Sequence, residues 1–310
     1  MPALITHHLF GEEAAHALPE GLLEGEEELL AFLLGNLGPD PLFARFATLP
    51  DRAARCHSLA HLMHGPKAMG SLLAMRETVA HLHRDDMRVG RAFALGQLAH
   101  YLLDSRCHAF VYAQQHALAH ADTSLKNAQS ELHALIESDL DVWMLWSMRQ
   151  AEVDPSIISS SLARTERVSR VGGAIFSQVA MQVFGVSVDA RQYEGSLADF
   201  EFLYYAIEPA DGPRNRLIGS VERIVRPHSL AMAQAHLNRS GDSCPDANLD
   251  HQPWRDPSTG EVRTESFPDL FWNAFGEWDG ISRAYVSGER DRLAPFVTRD
   301  YDGIPLEGRS

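Results

Sequence analysis

Residues 96–112 read GQLAHYLLDSRCHAFVY, and within them His100, Asp104 and His108 recur at every fourth position. In an α-helix each step of four residues turns the side-chain direction by only about 40°, so these three side chains lie on one face. His100 and Asp104 are one turn apart and can bind a single divalent ion, and His108 can reach a second ion. The apolar residues between them predict that the helix is anchored in the protein core.

A second stretch, ELHALIESDLD at residues 131–141, repeats the pattern with His133 and Glu137, and Asp141 follows one turn later. Facing helices that carry these two stretches offer nitrogen and oxygen donors, which suit zinc. The absence of thiolates favours a catalytic site over a structural one. A single pair of this kind is most simply a hydrogen bond on a helix surface. Two pairs in strongly apolar helices, where buried polar groups need partners, favour a metal.

Other residues near these stretches have simpler interpretations. We interpret Asp139 and Asp141 as a solvated acidic edge and Cys107 as a small packed residue. We expect Trp143 and Trp146 to lie in the core.

Several further histidines are paired at helical spacing. His57 and His61 could support a metal ligand from behind, but we interpret them as exposed surface residues, and we expect His116 and His120 to be solvated. Trp254 could form a wall of a substrate pocket, and the simpler interpretation is that it anchors a loop.

The pattern along the chain is helical almost throughout and predicts an all-α protein, a multi-helix bundle with no β-alternation. The acidic run at residues 24–28 opens a helix that closes at Leu34, before the breakers around Pro39. We expect further helices at about residues 51–83, 86–116, 128–150, 157–184, 196–207, 214–237 and 268–288.

A compositional seam near Asp154 and Pro155 predicts a metal-binding core at residues 1–150 and a helical extension at residues 151–310, packed on the core. The extension contains a loop at residues 238–267, rich in Gly, Pro, Asp, Asn and Ser. Loops of this length tend to be functional or mobile. A single all-α domain is equally consistent with the sequence. From Arg299 onward the chain resembles a tail.

The 310 residues are 45% apolar and 22% charged, which is typical of a globular protein and argues against a wholly disordered chain. The 42 acidic and 27 basic residues give a formal net charge of −15. A surface of this sign repels polyanions, so we expect no binding of duplex nucleic acid. The three cysteines form no Cys-x-x-Cys pair and indicate neither a disulfide scaffold nor a zinc ribbon.

The first residues, MPALITHHLFGEEAAH, lack the basic and apolar segments of a secretory signal peptide, so we expect a cytoplasmic protein. Residues 171–188 carry no charge, but they include Gln178 and Gln182 and lack flanking anchors. We therefore interpret them as a buried helix and expect no transmembrane segment. The sequence shows no strongly basic amphipathic helix that would dock stably at a membrane interface.

The stretch GQLAHYLLDSRCHAFV resembles the central helix of the zinc-dependent phospholipase C family, which shares a trinuclear zinc site with secreted single-strand-specific nucleases. Four further segments resemble family elements in the right order, namely THHLFG (6–11), GPD (38–40), MHGPKAM (63–69) and ELHALIESDLD (131–141). The resemblance covers roughly residues 1–150 and is specific in combination.

The resemblance implies a bundle of this family's type and a site of two to three zinc ions. The first ion would be held by His64, His100, Asp104 and Asp40, the second by His108, His133 and Glu137, and the third by His7 and Asp104. Asp104 would bridge the first and third ions.

In secreted relatives the amino-terminal residue also binds the third zinc. Removal of Met1 from this chain would leave the amine of Pro2 in that role. Two features depart from the family pattern. The gap from Asp104 to His108 is four residues, shorter than in the secreted phospholipases, and Ala109 stands where many relatives have proline. The extension after residue 150 is also unlike the secreted enzymes.

The resemblance implies a phospholipase C-like hydrolase that uses zinc to activate water for in-line attack on a phosphodiester, either a phospholipid or a small soluble diester. Asp40 would orient or deprotonate that water. One alternative is a nuclease or nucleotide phosphodiesterase with the same metals. It ranks second because only Lys67, Lys126 and few arginines lie around the motifs. The other is a metal-binding helical protein without turnover.

Overall fold

A computed structural model describes residues 4–224, 226–238, 241 and 243–306 of the chain. Within these residues 13 α-helices and almost no sheet are present, which confirms the predicted all-α class. The helices are α1 (Leu4–His16), α2 (Glu26–Gly35), α3 (Pro50–His64), α4 (Ala68–Ala80), α5 (Met87–Ala121), α6 (Gln129–Arg149), α7 (Pro155–Ser161), α8 (Glu166–Val179), α9 (Ala190–Ile207), α10 (Pro213–Glu222), α11 (Leu230–Gln234), α12 (Phe267–Ser287) and α13 (Arg290–Leu293).

The central element is α5, a helix of 35 residues that is about 50 Å long. Its middle part is buried on nearly every side, and α2 crosses it in direct backbone contact. Gly35 and Gly96 make this approach possible, because a Cβ at Gly96 would overlap the carbonyl oxygen of Phe32. The close crossing brings the chain after α2 against the face of α5 that carries the predicted ligands.

Three helices predicted as continuous are broken, and each break has a local cause. Gly65 and Pro66 separate α3 from α4 within the predicted helix 51–83, since the residue before a proline disfavours helical geometry. The predicted helix 157–184 is α7 followed by α8, whose first turn is capped by the hydroxyl of Thr165. Pro227 lies in the break between α10 and α11, and Ser229 caps α11.

The prediction of a solvated acidic edge on α6 is wrong. Asp141 is 1% exposed, and its carboxylate accepts hydrogen bonds from the backbone N–H groups of Ile5 at 2.9 Å and Thr6 at 2.7 Å. The first N–H groups of a helix lack partners within it, so this carboxylate caps and orients α1. Asp139 is buried too. Sequence periodicity did not predict α1, the helix Leu4–His16.

A buried histidine completes this contact. His236, which follows α11, places Nε2 3.1 Å from the Asp141 carboxylate and Nδ1 2.7 Å from the carboxylate of Glu208. Burial alone would lower the pKa of His236, but these two carboxylates raise it to about 9. The residue is therefore an imidazolium at neutral pH and joins α6 to the segment after α9.

The prediction of a tail from Arg299 is also wrong. Tyr301 is fully buried, its N–H donates to the carbonyl oxygen of His64 at 3.2 Å, and Arg299 and Pro305 form an antiparallel bridge. The Tyr101 hydroxyl donates to the Arg299 carbonyl at 2.8 Å. The segment 299–306 fills a groove beside α3 and α5, where its backbone polar groups find partners. We call it the C-terminal segment.

The predicted loop 238–267 contains a short hairpin, β1 (Trp254–Arg255) paired antiparallel with β2 (Val262–Arg263). Trp254 packs edge-on against Phe110 of α5 and donates from Nε1 to the carbonyl of Glu265 at 3.0 Å. It is a loop anchor, as the simpler interpretation predicted. Trp143 and Trp146, which we expected in the core, are only half-buried at its edge.

One continuous hydrophobic core includes residues from both halves of the chain, from Leu4 to Tyr301. Residues after 150 thus contribute to the same hydrophobic core, and the division into a metal-binding core at residues 1–150 and an extension packed on it stays a prediction. Residues 171–188 form the end of α8 and a π-helical turn (Ala180–Phe184), with Val171, Ile175 and Phe176 buried. Among the described residues, no helix is both long and apolar enough to cross a membrane.

Candidate metal centre

Eight predicted ligands come together around the middle of α5. This helix presents His100, Asp104 and His108, and the other elements place their own donors opposite them. The remaining five are His7 from α1, Asp40 from the 3-10 turn after α2, His64 from the end of α3, and His133 and Glu137 from α6. Donors that are far apart in the sequence, such as His7 and Asp104, are therefore neighbours in the structure.

The first cluster joins Asp40, His64 and His100. His64 Nε2 lies 3.2 Å from Asp40 Oδ1, and His100 Nε2 lies 3.4 Å from Asp40 Oδ2. His100 Nε2 is also 3.0 Å from Oδ2 of Asp104. Two donors bound to one tetrahedral zinc, each about 2.0–2.1 Å from the metal, are about 3.3 Å apart. The spacing therefore fits donors around a single ion.

The second cluster joins His108, His133 and Glu137. Oε1 of Glu137 lies 3.1 Å from His133 Nε2 and 3.4 Å from His108 Nε2. These separations again fit one tetrahedral ion. The regular four-residue gap between Asp104 and His108, a departure from the family pattern, still allows His108 to face α6.

The third cluster forms where α1 meets α5. His7 Nε2 lies 3.0 Å from Asp104 Oδ1, and the rings of His7 and His100 stack with centroids 4.2 Å apart. The two oxygens of Asp104 thus face different histidines, which is the arrangement needed for a bridging carboxylate. Met1 and Pro2, and with them the predicted amine ligand, lie outside the described residues.

Several donor atoms in these clusters are buried without a hydrogen-bond partner among the described residues. They are His7 Nδ1, Asp40 Oδ2, His100 Nε2, Asp104 Oδ2 and Glu137 Oε2. Leaving buried polar atoms unpaired costs free energy, so such a group of atoms needs an explanation. Divalent cations would satisfy all of these atoms except His7 Nδ1, which faces away from Asp104. Nitrogen and oxygen atoms of this kind are donors that zinc binds. The residues fit a zinc centre.

Backbone carbonyls hold three of the imidazole rings in one orientation. His64 Nδ1 donates to the carbonyl oxygen of Ala60 at 2.8 Å. His100 Nδ1 donates to that of Asn36 at 3.1 Å, and His108 Nδ1 donates to that of Tyr301 at 2.9 Å. A carbonyl oxygen can only accept, so Nδ1 carries a proton and the other ring nitrogen, Nε2, points into the cluster. The rings are therefore positioned as ligands before any metal binds.

The clusters are strongly coupled electrostatically when no ion is present. Burial disfavours the charged form of His108, but the carboxylates of Asp104 and Glu137 raise its pKa to about 10. Conversely, burial favours the neutral carboxyl of Asp104, but the three neighbouring histidines hold its pKa well below the usual range. Metal binding at His108 must therefore displace the proton that this histidine holds.

A cavity of about 490 Å³ opens on the first two clusters. Its wall includes four predicted ligands together with Phe43, Tyr112, Gln115 and Asp302. Tyr112 donates its hydroxyl to Asp302 at 2.9 Å. Among the described residues no lysine or arginine lines the cavity. An anionic group held there would depend on bound cations.

Sequence reasoning missed the contribution of the C-terminal segment. Tyr301 orients His108, packs its ring against His64 and His100, and places Asp302 at the cavity wall. No periodicity or motif in these residues indicated this role. His61 is exposed, as predicted, but its ring packs on Phe43 and lines the cavity.

The paired histidines farther from the site behave as follows. His57 is half-buried, and its Nε2 lies 3.0 Å from the Arg45 carbonyl, so the prediction that it is exposed is wrong. His116 and His120 are exposed, as predicted.

A model of the family described as zinc dependent phospholipase C matches residues 6–171. The match begins next to His7, ends within α8 and includes every predicted ligand. This chain belongs to the zinc-dependent phospholipase C family. Membership confirms the resemblance and indicates a zinc-dependent hydrolase. No curated protein and no solved structure matches the chain.

Proposed function

We propose that this protein is a phospholipase C-like phosphodiester hydrolase whose three clusters hold zinc. The observation that carries the proposal is the convergence of eight donors beside a cavity, four of them on its wall, where no lysine or arginine lies among the described residues. In such a cavity the negative charge of a phosphodiester requires bound metal ions for compensation. We assign the substrate to the phospholipids, in keeping with the family.

We assign the first zinc to Asp40, His64, His100 and Asp104, and the second to His108, His133 and Glu137. A third would lie between His7 and Asp104. Zinc, when bound, supplies a Lewis acid that lowers the pKa of water and balances the charge on phosphorus in the transition state.

Asp40 is the residue that we assign to proton transfer. Its carboxylate lines the cavity, and Oδ2 has no hydrogen-bond partner among the described residues. From this position it would orient the attacking water and accept its proton as the bond to phosphorus forms. The leaving alcohol would depart on the opposite side, as in-line attack requires.

The cavity favours this reaction over the nuclease alternative. Proteins that bind single-stranded nucleic acid combine a basic groove with stacking aromatic side chains. The wall described above has Phe43 and Tyr112 but, among the described residues, no lysine or arginine, and it includes the carboxylate of Asp302. A polyanionic strand would therefore be repelled beyond its scissile phosphate.

A cytoplasmic location stays a prediction of this proposal. Cys56, Cys107 and Cys244 are all unpaired and buried, which fits a reducing compartment. Cell fractionation with a specific antibody tests this point.

The test of the site is zinc content together with turnover, measured on untagged protein with its native amino terminus. We expect two to three zinc ions per chain and hydrolysis of a short-chain phosphatidylcholine below its micelle concentration. Asp104→Asn should lose at least one ion and lower kcat/KM by at least about a hundredfold, since it removes the bridging charge. His116→Ala, an exposed histidine on the same helix, is the matched control and should behave like wild type.

Three outcomes contradict the proposal. Zinc near zero after purification from zinc-supplemented medium would mean that the histidines are structural. Full turnover by Asp104→Asn would remove the bridging role. Zinc retained without hydrolysis of any phosphodiester would instead favour a metal-binding protein without turnover.

A further inference from the structure

Three apolar residues along α10 and the turn that follows it face solvent. Leu217 is 67% exposed, Val221 is 58% exposed and Ile224 is 81% exposed. Their spacing of four and three residues places them on one side of the helix. An amphipathic helix in a globular protein normally turns this side toward the core. Here the helix presents it outward.

The exposed stripe continues onto α9 and the chain after α2. The guanidinium of Arg214, on the same side of α10, lies 4.1 Å from the ring centroid of Tyr205. The ring of Tyr205 is 6.5 Å from that of Phe202, which is 6.0 Å from Phe46. These three aromatic residues are all more than half exposed. We use the term apolar face for the set Phe46, Phe202, Tyr205, Leu217, Val221 and Ile224.

Three exposed arginines lie beside the apolar face, although the protein carries −15 overall. Arg214, Arg216 and Arg223 are exposed on α10 or at its end. The nearby carboxylate of Glu222 is turned inward and accepts hydrogen bonds from the hydroxyl of Ser229 and the N–H of Ala231. An apolar strip flanked by arginines is complementary to an anionic lipid surface.

The apolar face is also connected to the cavity. Phe46 follows the turn that carries Asp40 and Phe43, and its N–H donates to Asp199 of α9 at 2.9 Å. At the other end, Leu230 and Gln234 of α11 line the cavity, and α11 packs against α10. The elements that carry the apolar face thus flank the proposed active site.

We propose that the apolar face docks the protein on the surface of a membrane that contains anionic phospholipid. This inference rests on the proposed function, because a phospholipid substrate lies in such a surface. A symmetric dimer through the same face would bring the arginines of two copies together, and this repulsion favours lipid as the occupant. Phenylalanine and tyrosine at the interfacial depth, with arginines at the headgroups, match the preferences of these residues.

Flotation with vesicles tests the docking directly. Phosphatidylcholine vesicles with and without phosphatidylglycerol are mixed on ice with the zinc-loaded protein and centrifuged through a density gradient. Wild type should float with the anionic vesicles. Leu217→Asp and Ile224→Asp should each lower the partition coefficient by at least about tenfold, because each removes apolar burial and adds a repelled charge. Val262→Asp, at a residue 57% exposed in the hairpin, is the matched control and should float like wild type.

The arginines give an independent measurement. Arg216→Ala should weaken binding to anionic vesicles about fivefold and leave binding to neutral vesicles unchanged, as expected for loss of one charge near the surface. Added salt should reduce the difference. An equal loss on both kinds of vesicle would overturn the assigned role of charge.

The kinetic arm separates this proposal from the proposed function. Ile224→Asp should hydrolyse a monomeric short-chain phosphatidylcholine like wild type and hydrolyse vesicle lipid more slowly. Flotation without hydrolysis of either substrate would keep the docking and reject the proposed function. Hydrolysis without flotation would keep the proposed function and reject the docking. A wild-type dimer in sedimentation that Leu217→Asp converts to monomer would overturn lipid as the occupant.

Discussion

At the scale of single residues, the orientation of three predicted ligand histidines depends on atoms outside the clusters. The carbonyls of Ala60, Asn36 and Tyr301 each accept a hydrogen bond from Nδ1 of one of these histidines, the ring nitrogen that faces away from the cluster. Such contacts commonly change metal affinity by about 10- to 100-fold. Tyr301 also places a fully buried ring beside two of these histidines, so its side chain holds the C-terminal segment in position.

Substitutions of Tyr301 separate the ring from the hydroxyl. The hydroxyl is buried without a hydrogen-bond partner among the described residues, so Tyr301→Phe should match or exceed wild type in stability. Tyr301→Ala should leave a cavity, cost about 3–5 kcal/mol and lower zinc affinity in the second cluster by about tenfold. Denaturant unfolding and chelator competition measure the two effects. A wild-type zinc affinity in Tyr301→Ala would show that the segment does not position His108.

At the scale of helices, the crossing of α2 and α5 determines the site. Gly96 lies under the backbone of α2, and the chain leaving α2 carries Asn36, whose carbonyl orients His100. Four residues later, Asp40 reaches the same histidine. The distance between the two helix axes therefore controls both an orienting contact and a predicted ligand.

We expect Gly96→Ala to push α2 away from α5, since its Cβ would overlap the Phe32 carbonyl. The loss of stability should be about 3 kcal/mol, accompanied by weaker zinc binding. Gly276→Ala is the matched control, because nothing lies within 4 Å of the added carbon on the exposed face of α12. It should stabilise the protein by about 0.5–1 kcal/mol. Equal changes in the thermal unfolding of the two variants would show that Gly96 is not needed for the close approach of α2 and α5.

At the scale of the whole molecule, a buried charge network ties the two halves together. The His236 imidazolium bridges Asp141 on α6 and Glu208 after α9, and Asp141 in turn caps α1, which carries His7. Placement of the third cluster thus depends on a residue more than two hundred positions away. Breaking a buried pair of this kind costs more than the pair contributes, because an unpaired charge is left inside.

This network predicts a pH dependence of stability. The pKa of His236 is raised from 6.5 to about 9 on folding. Its contribution is therefore fully present below about pH 6.5 and is lost as the pH rises through about 9, with a limit on the order of 3 kcal/mol. The difference in unfolding free energy between wild type and His236→Gln should shrink over that range. An equal difference at about pH 6 and about pH 9.5 would reject the assignment.

Local pattern was sufficient to predict the all-α class, the helix α5 and the pairs of donors on α5 and α6. These properties follow from 3.6-residue periodicity, which fixes which side chains share a face. The resemblance added His7, Asp40 and His64, and the structure brings all of them to the same place.

Contacts between distant segments decided the rest. The sequence pattern predicts Asp141 at the surface, but α1 packs on it and buries it. The pattern also predicts a tail at residues 299–306, but Tyr301 fills the groove beside His108. Both depend on partners more than a hundred residues away, which a local pattern does not encode. Pattern and family resemblance together indicated the eight donors, but periodicity did not reveal α1, the helix that carries His7. The neighbours of those donors depend on tertiary packing, because unpaired buried polar groups are costly and their partners come from distant parts of the chain.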